Sequence, residues 1–505
     1  MNKNWSRFVK FITTIMSVIL TVFPFLSKAS PENKVNITIN PCSQQQEWNG
    51  FGTSTCWWSQ NISDEETRKD LAKELFSSDG LGLNILRYNV GGGVNPEHNR
   101  VSNSWRTTES FYYFNEESGK WEYDFTRDAN AQAFLDEALK QKNSTVNTVV
   151  LFANSPHYSM TISGEASGNT EQGKTNITRE HYQDFVDYFL TITEYFIEKG
   201  VPVKYISPIN EPQWDWSGDW VGQEGCHYEP EQVYELLALF SKGIDERGLD
   251  VKISCPESGE IGETTTNYFK TITADKETYK NVTSLAYHSY WSDNFLNAKQ
   301  DVGELIEDGA YDGYTVDMTE WCELPCTHSV DDVNGAVMMA RIMANDINYS
   351  EVNSWSSWVA VNQIGIGEDG KIYSDGLFYA KDDFSSYSKA ARYYAVAHFS
   401  KFVPAGSVVL ETSSDKASAA YNYHYEDWNK QYLECNYCAF KTPEGKTVLV
   451  VTNEGHDRTV VVPTLSCKMS VYTTDSEHTL EETYNGINTG RVTVSTNSIT
   501  TIVFE

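Results

Sequence analysis

Positive charge is scarce in this sequence relative to negative. Its 505 residues carry 39 Lys and Arg against 70 Asp and Glu, a formal charge of -31. So acidic a chain presents no broad phosphate-binding surface, which argues against nucleic acid and anionic membranes as partners and disfavours a strongly anionic substrate. Long apolar runs are also missing beyond the N-terminal segment, so no membrane span is expected in the mature protein. There are no sequence repeats and no low-complexity tracts. A hydrophobic share of 40% with 22% charged residues is ordinary globular chemistry and excludes a disordered or fibrous chain. A neutral small molecule or neutral polymer is the partner class that survives.

Aromatic residues, by contrast, are plentiful at 13%, with 14 Trp and 30 Tyr. Flat amphipathic rings are the platforms on which sugar-binding clefts are built, although an aromatic-rich core has the same composition. The first 29 residues read as a targeting segment. Lys3, Arg7 and Lys10 form a basic start, Phe11 to Phe25 is mostly apolar, and Ser27-Lys28-Ala29 offers small residues for cleavage after Ala29. That pattern predicts a secreted protein, with an uncleaved anchor as the alternative. Nine cysteines (42, 56, 226, 255, 322, 326, 435, 438 and 467) leave at least one unpaired within the chain. Cys435-x-x-Cys438 and Cys322-x3-Cys326 have no second pair at finger spacing, so they read as thiols or local disulfides. No metal and no cofactor are expected.

From residue 49 to about 400, short apolar runs alternate with longer amphipathic stretches. The strand-like runs are Asn49–Ser54, Leu83–Val90, Asn147–Asn154, Val203–Ile209, Asp250–Cys255, Val282–Ser289, Tyr314–Thr319 and Val352–Val361. Helical patterns fall between most of them: Glu65–Phe76, Ala129–Gln141, Arg179–Lys199, Glu231–Arg247 and Val330–Asn348. The first opens on Ser63-Asp64-Glu65-Glu66, which reads as a capping box. Eight strands alternating with helices predict an α/β fold, a (β/α)8 TIM barrel. A doubly wound open sheet is the rival, but Gly91-Gly92-Gly93 lacks its phosphate-turn spacing. After Pro404 the texture turns to short β-rich runs separated by polar turns, a side β-sandwich that the Val35–Ile39 run can join. The expected division is a signal peptide at 1–29, an N-terminal strand segment at 30–48, the barrel at 49–404 and the sandwich at 405–505.

Catalytic groups of such barrels sit at the C-terminal ends of the strands. Strand four ends in Ser207-Pro208-Ile209-Asn210-Glu211-Pro212 and strand seven in Asp317-Met318-Thr319-Glu320-Trp321. Breaking an acetal calls for this pairing: one carboxylic acid protonates the leaving oxygen while another carboxylate attacks or stabilises the anomeric carbon. Solvated loop carboxylates are the bland reading, and the paired strand-end positions with Asn, Pro and Trp beside them outweigh it.

At these residues the chain resembles glycoside hydrolase family 30, a family of retaining (β/α)8 glycosidases. The resemblance covers most of the chain. It includes Trp48-Asn49-Gly50-Phe51-Gly52, Leu86-Arg87-Tyr88-Asn89, Asn154-Ser155-Pro156, Asn210-Glu211-Pro212, His288-Ser289-Tyr290 and the run from Tyr393 to Phe402. It implies Glu211 as acid/base and Glu320 as nucleophile. A donor acid must stay protonated and a nucleophile ionised. Arg87 and the Tyr290 hydroxyl are placed to hold Glu320 charged, and Asn210 to bond the sugar 2-hydroxyl. His288, Asn154, Trp58, Trp321 and Trp358 complete the expected substrate-binding set, within a wider group of strand-end tryptophans that also includes Trp57, Trp214, Trp216, Trp220 and Trp355. The segment Gly222-Gln223-Glu224-Gly225-Cys226-His227, with Gly52-Thr53-Ser54 and Trp57-Trp58, is most similar to the endo-β-1,6-galactanase branch. The implied substrate is a neutral polysaccharide, the β-1,6-galactan side chains of arabinogalactan. Another activity of the family (β-1,6-glucanase, xylanase or xylosidase, glucosylceramidase) is the alternative, and a non-catalytic glycan-binding protein is the alternative of a different class.

Overall fold

A computed structural model describes residues 34–218, 221–291, 296–309, 311–415, 435–454, 457–462 and 468–505. The signal-peptide reading, Trp220 and Cys467 lie outside them. The eight expected runs form a closed parallel barrel of strands Gly50–Ser54, Ile85–Asn89, Thr148–Phe152, Val203–Ser207, Lys252–Ser258, Val282–His288, Thr315–Glu320 and Ser354–Val359. Strand one pairs with strand two on one side and with strand eight on the other, which eliminates the open-sheet rival. Every position of strands one, two, three and eight is buried. Strands covered on both faces read as continuous apolar runs, so these were visible without alternation.

The helix Glu65–Phe76 follows strand one as expected, but its start differs from the capping-box reading. Asp64 is the N-cap, accepting the Thr67 N–H at 2.8 Å. The capping box lies instead at Pro230–Arg247, where the Glu229 and Gln232 side chains satisfy each other's backbone N–H groups and Gly248 (φ 65°) ends the helix in the left-handed region. Two helices escaped the pattern reading, Glu263–Ala274 and Leu296–Glu307. The first is rich in Thr, whose β-branching and local hydrogen bonding weaken its helical signal.

The N-terminal strand Lys34–Trp48 pairs antiparallel with Ser407–Ser414 and parallel with Arg458–Val461, so the two ends of the chain share one nine-stranded sheet. That sheet folds over itself as a sandwich: its core gathers Val492 and Val494 from one end of the strand order with Met469 and Val471 from the other. Alternation then assigns the opposite faces. On the strand Cys435–Lys441, Ala439 points into the sandwich, while Cys438 and Phe440 join the barrel's core. Strands Thr447–Asn453 and Ser498–Phe504 divide in the same way, with Leu449 and Ile502 inward and Val448, Val450, Ile499 and Val503 against the barrel. Strand Glu481–Ile487 was not legible, being a charged edge strand with mostly exposed positions.

Trp48 stitches the two units together, with its ring 4.7 Å from Phe51 and 5.7 Å from the fully buried Phe440. Phe440→Ala is expected to cost ~3–5 kcal/mol through lost burial and the cavity left behind, read as a lower urea midpoint. The eight described cysteines are free thiols, so neither Cys322 with Cys326 nor Cys435 with Cys438 is bridged. No helix among the described residues is long and apolar enough to cross a membrane.

Candidate active site

The barrel mouth is built by strand ends whose registers bring polar groups level. Ser54, Arg87 and Val150 are paired neighbours on strands one to three, and His288 pairs with Glu320 on strands six and seven. After strand four the chain turns at Glu211, whose φ is 45°, and its N–H donates to the Glu257 carbonyl at 2.8 Å. Glu257, the penultimate residue of strand five, is itself left-handed at φ 57°. Two non-glycine residues in that sparsely populated region are held there by the surrounding packing, a form of strain that concentrates at functional sites.

Their side chains and those of strands two, six and seven meet in one buried cluster. The two ring nitrogens of His288 lie 3.0 Å from Glu211 Oε1 and 3.1 Å from Glu257 Oε2. His288 Nε2 is also 3.6 Å from Glu320 Oε2. Arg87 donates from Nη1 to Glu320 Oε2 at 3.3 Å and to the Thr319 carbonyl at 3.0 Å, and its Nη2 lies 3.5 Å from Glu257 Oε2. The Tyr290 hydroxyl donates to the other Glu320 oxygen at 2.9 Å. Thus five of the expected residues (Glu211, Glu320, Arg87, His288 and Tyr290) are brought into mutual contact. Glu257 was missed. It sits two residues beyond the expected end of strand five, and the test that picked out Glu211 and Glu320, a carboxylate at a strand end, picks it out once the strand is extended.

The charges can be assigned from these contacts. Both His288 nitrogens face carboxylates, which only accept, so the ring carries two protons. Burial works against that cation, but Glu320, Glu211 and Glu257 outweigh it and push its pKa up to about 10. Burial likewise opposes ionisation of Glu257, yet Arg87 and His288 hold it down at about 2, with the Ser207 and Thr319 hydroxyls also bonded to it. Burial raises Glu320 to about 7, with Glu211 pushing the same way and His288 and Arg87 pulling down. Arg87 pairs with Glu320 and pulls its pKa down, and the same guanidinium is shared with Glu257. Two cations, Arg87 and His288, thus face three carboxyl groups. One atom each of Glu211, His288 and Glu320 lies within 4.8 Å of the others, a spacing that would admit a cation. An imidazolium in that position makes the cluster a set of ion pairs instead.

This wiring has a consequence for stability. His288, with its raised pKa, contributes fully below the ordinary imidazole value of 6.5 and loses its contribution as pH climbs through about 10. Glu257, with its depressed pKa, contributes above the usual carboxyl range and fails only as pH falls towards about 2. The wild-type melting temperature is expected to fall between pH 6.5 and 10, and Glu257→Gln to fall less over that window from a lower start. Melting curves of both proteins across that range check it.

Residues 34–314 match the model of O-glycosyl hydrolase family 30, and residues 406–502 match the family's β-sandwich domain. The chain belongs to glycoside hydrolase family 30. It is 22% identical to an endo-beta-1,6-galactanase of Hypocrea rufa over 410 residues, which is 76% of this chain and 78% of that protein. Over 246 residues it is 24% identical to an exo-beta-1,6-galactobiohydrolase of Bifidobacterium longum subsp. longum, covering 38% of this chain and 16% of the relative. Among solved structures, a conserved exported protein from Bacteroides fragilis superposes with a TM-score of 0.75 at 23% identity, covering 92% of this chain and 99% of the other.

The remaining expected residues of this family 30 chain fall into two groups. Asn210 and Asn154 are buried at the mouth, each with its side-chain oxygen unpartnered. Trp358 also belongs to the mouth, packed edge-on against Trp57 at 5.4 Å and near Phe152, over which Arg87 lies. Trp321, adjoining Glu320, is buried 6.4 Å from Trp355. Trp58 does not line the mouth. It is fully buried, with its indole N–H on the Ser54 carbonyl and its ring 4.6 Å from Phe134 of helix Ala129–Lys140, so it packs the layer between barrel and helix. Trp355 is structural too, donating to Asp346 at 3.0 Å.

Proposed function

We propose that this chain is a secreted retaining glycosidase that cleaves the β-1,6-galactan side chains of arabinogalactan. The observation that carries the retaining mechanism is the closeness of the two carboxylates on strands four and seven, whose nearest oxygens lie within 4.8 Å. Retaining enzymes hold their carboxyl groups about 5–5.5 Å apart, whereas inverting enzymes leave about 6.5–9.5 Å for a water. In this reading Glu211 protonates the glycosidic oxygen as Glu320 attacks the anomeric carbon, giving a covalent glycosyl ester. Glu211, now a carboxylate, then takes a proton from the water that hydrolyses it. Tyr290 and Arg87 donate to the two oxygens of Glu320, aiming the nucleophile, and Asn210 Oδ1 is free to accept the 2-hydroxyl.

The galactan assignment rests on the two relatives and on charge. The segment 360–384 after strand eight contains Lys371 and Lys381 but no Arg, among Glu368, Asp369, Asp375, Asp382 and Asp383, which suits a neutral glycan better than an acidic one. Incubation with arabinofuranosidase-treated arabinogalactan tests it, with release of β-1,6-galacto-oligosaccharides as the expected result. Absence of release from galactan, alongside release from a β-1,6-glucan or xylan, moves the substrate and leaves the glycosidase.

A further inference from the structure

Glu211 and Glu320 flank the reacting carbon from strands four and seven, and Glu257 and His288 close the side between them. A sugar ring must therefore extend over strands one to three. The ends of those strands bear Cys56, Asn89 and Asn154, joined by Asn154 Nδ2 donating to Asn89 Oδ1 at 3.3 Å and to Cys56 Sγ at 3.7 Å. Behind them stands a carboxyl that the mechanism does not use. Glu224 is 2% exposed; its Oε1 accepts the Gly92 N–H at 3.2 Å, and its Oε2 has no hydrogen-bond partner.

The loop carrying Glu224 is tied to the catalytic strand. Trp216 donates its indole N–H to the Glu211 carbonyl at 3.1 Å, and Tyr228 N–H bonds the Pro212 carbonyl at 3.0 Å. Gly225 lies flat beneath Trp216, where a Cβ would sit 2.3 Å from the ring, and its N–H bonds the Ala166 carbonyl at 2.9 Å. Glu224 is thus a fixed feature of the mouth. Burial pushes the Cys56 thiol up, and the nearby charges of Glu224 and Glu320 add to the effect. Burial also raises Glu224 itself to about 8, leaving a neutral acid that can donate one hydrogen bond as well as accept others.

We propose that Glu224, together with Asn154, determines sugar specificity by engaging the hydroxyls farthest from the anomeric carbon in the subsite beside Glu320, discriminating the configuration at C4. Buried unpartnered acceptors at a site mouth need donors, and the hydroxyls of a hexopyranose supply them without bringing charge. The inference rests on the glycosidase reading and deepens its substrate class. A site built to bond a particular hydroxyl rejects sugars that cannot present it, because its own polar groups are then left unpaired.

The test compares wild type, E224Q and E224A on 2,4-dinitrophenyl β-D-galactopyranoside and on its C4 epimer, the glucopyranoside. E224Q keeps the acceptor for Gly92 and the volume of the side chain, so it carries the test if E224A fails to fold. The expected result is a ~10–100-fold loss in kcat/KM on the preferred epimer, with the other changed less than about threefold, so that the preference collapses. Equal losses on both epimers, or none, overturn the proposal, since a merely structural role lowers both together. Wild-type preference for the glucoside defeats the galactan reading, and Glu224 is then judged by whether E224Q erases that preference. A wild type indifferent to the epimers overturns the proposal and the galactan reading together.

Discussion

Glu320→Gln is expected to lower kcat on β-1,6-galactan on the order of 10,000-fold or more, the scale at which loss of a nucleophile collapses covalent catalysis. The amide has nearly the volume of the carboxylic acid, and its oxygen still accepts the Tyr290 hydroxyl that now lies 2.9 Å from Glu320 Oε1. Folding and oligosaccharide affinity should therefore survive, and equilibrium binding with a melting curve checks both. The predicted combination is intact binding with no turnover. Near-native turnover in this variant removes Glu320 from the mechanism. The same variant also separates an enzyme from a glycan-binding protein, because a binding protein releases no reducing ends in either form.

Glu211→Ala is expected to cost ~100–10,000-fold on natural galactan, where the leaving oxygen needs a proton. On a 2,4-dinitrophenyl glycoside the first step needs no acid, so the loss there should lie in hydrolysis of the glycosyl ester. Azide, which needs no general base, should then restore turnover and yield a β-glycosyl azide. His288 donates to Glu211 Oε1 at 3.0 Å in wild type, and in Glu211→Ala it keeps its Glu257 contact, so the cluster stays anchored. Equal losses on galactan and on the dinitrophenyl glycoside, with no response to azide, contradict the acid/base role.

Much of this site was legible because a parallel barrel turns sequence order into spatial order. Once eight apolar runs are counted, a residue after run four and one at the end of run seven must open on the same mouth, and Glu211 and Glu320 do. Arg87, His288 and Tyr290 came instead from the resemblance to family 30, which places them on strands two and six. Other parts were not legible. Glu257 lay beyond the expected end of strand five, where Cys255-Pro256 masks the continuation of the run, although the strand extends to Ser258. Trp58 was misjudged because a tryptophan after a strand end packs outward or inward according to backbone direction, which composition does not encode. The sandwich was read from its apolar runs, whereas its exposed edge strand Glu481–Ile487 carries no such signal. The electrostatics were the least legible part. The sharing of Arg87 between Glu257 and Glu320 appears only when three strands are placed side by side.

The most direct test of the account is to trap the intermediate. Wild-type protein would be incubated with 2,4-dinitrophenyl 2-deoxy-2-fluoro-β-D-galactopyranoside, then digested and analysed by mass spectrometry. The account predicts a single fluorogalactosyl adduct on the peptide containing Glu320, and none in Glu320→Gln. An adduct on Glu211, Glu257 or any other residue, or steady release of α-configured product without an adduct, contradicts it.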